Sequence, residues 1–328
     1  MSRFTRRHAV GLLAAGLFAP FAGATLGHAA EKLPVVASFS ILADFVARVG
    51  GDRVAITTLV GPNGDAHVYS PKPADARAVK AAKLVVVNGL GFEGWMERLV
   101  GASGTKATVV TASKGISARE LVDDDEDEAP AKGGKAGHDH AKEAHGHGHD
   151  HGGLDPHAWQ SVANARVYVG NIRDALIAAD PEGRAVYEAN AGAYVAELDA
   201  LEAEVKAAVA AVPAERRRMI TTHDAFGYFA AAYGITFLSA QGVSTETEAT
   251  PKQVARLIAQ IRKEKVGAVF IENMTDGRLV DRIAKETGVR PGGELFSDAL
   301  SPKGGPAPTY VDMVRYNVRL MTRAMIGA

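Results

Sequence analysis

The feature that constrains this chain most lies between Pro181 and Pro213. No other proline interrupts that stretch, and Tyr187, Ala191, Tyr194, Leu198, Leu201, Val205 and Ala208 follow one another at intervals of four and three. That spacing is the apolar stripe of an amphipathic helix. About 30 residues at ~1.5 Å each make a rod of roughly 45 Å. A helix laid on a single core is one reading; a rigid spine between two domains is the other. The flanks favour the spine, because each carries its own alternation of short β-branched runs and helical stretches.

On the N-terminal side, the pattern predicts strands at 33–38, 54–60, 84–88 and 108–111, with helices at 41–49, 74–82 and 95–100. A further helix follows Trp159 and runs to about 179. On the C-terminal side it predicts strands at 219–222, 235–238, 268–272 and 293–296, with helices at 225–233, 251–263, 276–287 and 310–325. Strands alternating with helices form βαβ units and a parallel sheet. The expected fold is α/β: two parallel-sheet α/β domains joined by one long rigid helix. The expected divisions are 30–180, the linking helix 181–212, and 213–328.

Two segments fall outside this pattern. Residues 1–29 read as a signal peptide. Arg3, Arg6 and Arg7 form a basic start, an apolar stretch runs from Ala9 to Ala22, and small residues surround Ala29 and Ala30. Arg6-Arg7 also resembles a twin-arginine signal. A membrane anchor is the alternative, but the apolar run is shorter than the ~20 residues a bilayer requires. A periplasmic location follows. The second segment is 123–153, where six consecutive acids at 123–128 lead into HDHAKEAHGHGHDH. It has too little apolar surface to order itself and is expected to be a disordered loop.

Charge and cysteine usage narrow the function. The chain carries 37 basic and 38 acidic residues; losing the three arginines of the leader leaves 34 against 38, a net charge of −4. That balance does not suggest a nucleic-acid partner. The absence of cysteine excludes disulfides, thiolate ligands and a lipid-modified N-terminal cysteine. Any metal site must use nitrogen and oxygen.

The eleven histidines sort cleanly. His8 and His28 belong to the leader. His138, His140, His145, His147, His149 and His151 lie in the acidic and histidine-rich tract, as candidate auxiliary, low-affinity metal ligands. Only His67, His157 and His223 remain, each beside the end of an expected strand or the start of a helix. Asp298 also follows a strand. In open parallel sheets, ligands bind beyond the C-terminal strand ends. Three imidazoles and a carboxylate, two groups from each half, match the number and chemistry of a tetrahedral Zn²⁺ site in the interdomain cleft. Taken singly, each histidine reads as a surface or capping residue, and Asp298 and Asp155 read as helix caps. Their joint placement carries the metal reading.

The stretches GDAHVYSPKPAD around His67, LDPHAW around His157, TTHDAFGYFAAAYG around His223 and ELFSDAL around Asp298 resemble the zinc- and manganese-binding solute-binding proteins of ABC importers (ZnuA-like). The resemblance spans about 35–325 apart from the tract. It implies a metal site at His67, His157, His223 and Asp298, a membrane permease as partner, a periplasmic zinc chaperone as a further candidate partner, and a monomer. Histidine at the third position and a histidine-rich insertion before the second ligand point to Zn²⁺ as the bound ion. Two departures stand out. Ala66 occupies the place where some zinc-binding members carry an acid, which leaves Asp298 or water as the fourth ligand. The disulfide of some members is also missing.

Other functions remain in view. A zinc hydrolase would need an open water position and a general base; Glu272 and Glu246 are candidates, but each reads better as a carboxylate supporting a ligand or as a solvated side chain, and no HExxH helix is present. A manganese-binding protein of the same kind, or a zinc buffer or adhesin without a transport role, are the alternatives.

Overall fold

The computed structural model describes Met1 and residues 31–120, 153–239, 241–264, 266 and 268–327. The expected leader and the acidic and histidine-rich tract lie outside the described residues, apart from Met1 and Gly153. The first sheet contains β1 (Leu33–Phe39), β2 (Val54–Val60), β3 (Leu84–Val87) and β4 (Thr108–Thr111). The second contains β5 (Arg218–Thr221), β6 (Thr236–Ser239), β7 (Ala268–Glu272) and β8 (Arg290–Leu295). Both sheets are wholly parallel, and both take the order second-first-third-fourth: β2-β1-β3-β4 and β6-β5-β7-β8. The two halves therefore share a topology without sharing a sequence repeat.

Strands β3 and β7 read as near-continuous apolar runs, Leu84-Val-Val-Val87 and Ala268-Val-Phe-Ile271, because helices cover both faces of a parallel sheet. The helices α1 (Ser40–Gly50), α2 (Pro73–Ala81), α3 (Met96–Ser103) and α4 (Val162–Ala179) accompany the first sheet. The helices α6 (Gly227–Tyr233), α7 (Pro251–Glu264), α8 (Arg278–Thr287) and α9 (Tyr310–Ile326) accompany the second. None of the described helices is long and apolar enough to cross a membrane.

The long helix α5 (Arg184–Ala210) connects the halves and also belongs to the core. It packs on α1 and α4 on one side and on α9 on the other. Its buried stripe is Tyr187, Ala191, Tyr194, Leu198, Leu201, Val205 and Val209. The last position differs from the expected Ala208 by one residue. A strict seven-residue repeat lags a straight helix by ~20° per heptad, so after three heptads the inward face has moved on by part of a residue. The entry to α5 is fixed by Asp180, which accepts two hydrogen bonds from the Arg53 guanidinium at 2.8 and 2.9 Å and one from the Tyr187 hydroxyl at 2.6 Å. One continuous hydrophobic core runs from the first half through α5 to α9, and Lys32–Ala328 forms one unit.

The expected elements are found with small shifts. β8 begins at Arg290, earlier than the predicted 293, because Pro291-Gly292-Gly293 is poor strand sequence. It is tolerated here on a sheet edge, where proline costs no ladder bond to a further strand. The pairing slips between Val269 and Phe270, and Gly292 lies so close to the Phe270 ring that a Cβ would come within 2.3 Å of it. Helix α6 starts at Gly227, two residues later than predicted, because 223–226 forms an irregular turn that presents His223.

Candidate metal centre

The strand ends of both sheets meet at one buried cluster. His67 follows β2, His223 follows β5, Asp298 follows β8, and His157 precedes α4 on the short turn Ala158–Gln160. One ligand atom from each of the four lies within 4.8 Å of the others, and all four residues are buried. His67 Nε2 stands 3.2 Å from His157 Nε2 and 3.3 Å from Asp298 Oδ2. His223 Nε2 is 3.1 Å from Asp298 Oδ2, and His157 Nε2 is 3.6 Å from Asp298 Oδ1. The structure thus brings together all four residues singled out in the sequence. The auxiliary set His138, His140, His145, His147, His149 and His151 lies outside the described residues.

The four groups are close, but Asp298 and His223 are left without aligned partners among them. Both Asp298 carboxylate oxygens and both ring nitrogens of His223 are buried without an aligned hydrogen-bond partner, as is Glu272 Oε2 beside His223 Nδ1. Leaving such atoms unpaired is costly. Three ring nitrogens and a carboxylate face one another at 3.1 to 3.6 Å, with a hydrogen bond only between the His67 and His157 Nε2 atoms, and are arranged around a shared point, as the ligands of a cation are.

Two further carboxylates orient the rings. Asp155 Oδ1 lies 3.0 Å from His157 Nδ1 and also accepts the His157 backbone N–H at 2.9 Å. Glu272, the last residue of β7, places Oε2 2.6 Å from His223 Nδ1, while its Oε1 accepts the backbone N–H groups of Thr222 and His223 at 2.8 and 3.0 Å. With Nδ1 facing a carboxylate, each imidazole turns Nε2 inward, the arrangement that fixes tautomer and raises ligand basicity. Asp298 is held through its neighbours. The Ser297 carbonyl accepts from Trp159 Nε1 and Gln160 Nε2 at 2.9 and 2.8 Å, and Leu300 N–H donates to Ser40 Oγ at 2.9 Å. The Phe92 and Trp159 rings wall the pocket, Phe92 lying edge-on to His67 at 4.7 Å and Trp159 to His157 at 5.3 Å.

The electrostatics follow. Burial alone would drive His157 toward the neutral form, but Asp298 and Asp155 outweigh it and lift its pKa to about 9. Burial acts on His223 in the same way, and Glu272 and Asp298 raise it well above the ordinary imidazole range. Burial pushes the Asp298 carboxyl up, and the two imidazoles hold it well below the usual carboxylate range. The pocket is built for positive charge: without a cation, protons supply it.

Sequence reasoning missed the ring contact of Asp155 and did not name the partner of Glu272. Asp155 reads as a cap, and it does bind a backbone N–H; its second bond, to the ring, is invisible in one dimension. Glu272 reads as a supporting or solvated carboxylate more than as a catalytic base; it is fully buried beside His223, a pairing the sequence does not name. The available signal was a carboxylate closing an otherwise apolar strand, since a buried charge demands partners.

Two α/β halves with a buried three-histidine, one-aspartate cluster between their strand ends define a metal-binding protein of the solute-binding class. The chain belongs to the family described as zinc-uptake complex component A, periplasmic, which matches residues 35–324. This is a family of substrate-binding proteins of ABC importers, which are not enzymes. The chain is similar to the manganese-binding lipoprotein MntA of Halalkalibacterium halodurans, 34% identical over 309 residues that cover 94% of this chain and 93% of that one. It is 32% identical to the iron-binding protein YfeA of Yersinia pestis over 88% of this chain and 85% of the other. Among solved structures, the periplasmic zinc-binding protein TroA from Treponema pallidum superposes with a TM-score of 0.77 at 30% identity, covering 90% of this chain and 99% of that one.

Proposed function

We propose that this protein captures Zn²⁺ in the periplasm and delivers it to the membrane permease of an ABC importer, with His67, His157, His223 and Asp298 as the ligands. The observation that carries the reading is the convergence of three Nε2 atoms and one carboxylate within 4.8 Å in a buried pocket. Imidazole-rich sites suit Zn²⁺, whereas Mn²⁺ favours carboxylate, carbonyl and water. Four protein ligands also close the site, which suits binding rather than hydrolysis. In this reading 30–180 and 213–328 act as the two lobes, with 181–212 as their spine.

The names of the relatives supply a second reading, because MntA is named for manganese and YfeA for iron. Metal analysis and competition titration of the mature protein distinguish these readings. One tight Zn²⁺ that equimolar Mn²⁺ or Fe²⁺ fails to displace supports zinc. Retention of Mn²⁺ against equimolar Zn²⁺ sinks it.

The tract at 123–153 enters the proposal as a low-affinity collector. Its six histidines chelate zinc in many interchangeable ways, at an entropic cost that keeps each weak. Its C-terminal end is joined directly to the Asp155-Pro156-His157 segment, so ions held there stay concentrated near the pocket. Deleting 123–152 should remove the weak sites, spare the tight one and slow zinc uptake from a competing chelator or a donor chaperone. Unchanged stoichiometry and uptake rate would contradict this role. The protein is expected to work as a monomer, which sedimentation checks directly.

A further inference from the structure

The turn that carries His67 is fastened mainly from the opposite half. It runs from Gly61 to Val68 and contains Asn63 in the left-handed conformation, with φ at 55°. Asn63 N–H donates to the Leu300 carbonyl at 3.0 Å, and its side-chain oxygen accepts from Asn273 Nδ2 at 2.9 Å. Asp65 provides the third attachment and does two things at once. Its Oδ1 accepts the His67 backbone N–H at 2.9 Å, and its Oδ2 accepts the Thr245 hydroxyl at 2.7 Å.

Thr245 sits in the segment 241–250, which belongs to no helix or strand and links β6 to α7. Within its own half this segment is held at its base, where Gln241 N–H donates to the Thr222 carbonyl and the Gly242 carbonyl accepts from Asp224 N–H. Among the described residues, the Thr245–Asp65 bond is the one hydrogen bond from this loop to the first half. A site this buried exchanges its ion only when some covering element moves. The loop 241–250 has no regular structure, is joined to the first half by this one bond, and through Asp65 is tied to the turn of the first ligand, so its opening costs little and reaches the site.

We propose that Thr245 and Asp65 form a latch through which the loop 241–250 controls how fast the bound metal leaves. The proposal rests on the metal-binding reading of the four-residue cluster and adds a control on that site. Neither residue is a ligand. Asp65 couples the loop to the His67 turn, because the carboxylate that holds the loop also holds the His67 amide. Releasing Thr245 frees the loop tip and loosens the first ligand's turn in one event. Both remain positioning residues: they set the rate of opening and leave the coordination unchanged.

The test is the rate of zinc release from the mature protein to an excess of a chromophoric chelator, with Co²⁺ absorption as a separate readout of coordination. Thr245→Val removes the hydroxyl while keeping the shape. It should speed release by about tenfold, the effect of losing one hydrogen bond to a charged group. Thr245→Ser should restore the slow rate. Asp65→Ala, which also frees the His67 amide, should release faster than Thr245→Val. The Co²⁺ spectrum of Thr245→Val should match that of the unaltered protein. A release rate unchanged in Thr245→Val, or a changed Co²⁺ spectrum in it, overturns the latch. Failure of the unaltered protein to hold one tight zinc would instead overturn the metal-binding reading, so the two failures are distinguishable.

Discussion

The two halves repeat one strand order, yet each secures its central histidine by a different route. In the first half the support is local: Asp155 stands two residues before His157 and grips both its ring and its amide. In the second half the support is remote: Glu272 reaches His223 from another strand, 49 residues along the chain. The first half has its own buried glutamate in a comparable place. Glu93 accepts from Ser38 Oγ, Asn88 N–H and Gly89 N–H, and burial pushes its carboxyl up. It braces the loop after β3, while Glu272 braces a ligand. One topology thus places a buried carboxylate at or just after the end of the third strand of each sheet, and only the second has been joined to the metal cluster. Shared architecture fixes where polar groups can converge; the local sequence decides which of them face the ion.

The comparison can be broken most forcefully at the ligands themselves. In protein lacking 123–152, His157→Ala and His223→Ala should each weaken zinc binding by more than the roughly 100-fold that supporting groups command. Competition titration measures this, and near-normal affinity in either variant removes that residue from the site. Next come the supporting carboxylates. Glu272→Ala should cost on the order of 100-fold in zinc affinity, and it also strands two buried amides, so thermal stability should fall. Asp155→Ala should cost less, about tenfold, because Phe92 and Trp159 still wall the His157 ring. Equal losses from the two variants would erase the distinction between local and remote support.

Protonation offers a further test. His157 holds its proton up to about 9, so zinc must displace that proton at neutral pH. Apparent affinity should therefore climb with pH by about tenfold per unit for each proton displaced, and the share due to His157 should flatten near pH 9. Asp155→Asn removes one of the charges that raise His157 and should move the flattening to lower pH. An affinity that does not vary between pH 6 and pH 9 would show that the metal takes no proton's place.

Much of this was legible in the sequence, for reasons that particular residues make plain. The stripe from Tyr187 to Val205 declared α5, and runs such as Leu84-Val-Val-Val87 declared buried strands, because both signals are periodic and local. The four site residues were legible because histidine is scarce in the folded chain and because each follows a strand or precedes a helix. Glu272 and the Thr245–Asp65 bond were not. Each joins groups far apart in the chain, 180 residues in the latter case, and no local pattern encodes such a meeting. From sequence β8 reads shorter than it is, because Pro291 and the glycines after it are acceptable only on an edge, and edge position is a property of the whole sheet.

X-ray absorption spectroscopy of the zinc-loaded protein lacking 123–152 tests the central claim most directly. The account predicts one zinc per chain, with three imidazole nitrogens at ~2.0–2.1 Å and a carboxylate oxygen at ~2.0–2.2 Å. Fewer than three imidazoles around the ion, or loss of stoichiometric zinc once the tract is removed, would contradict it.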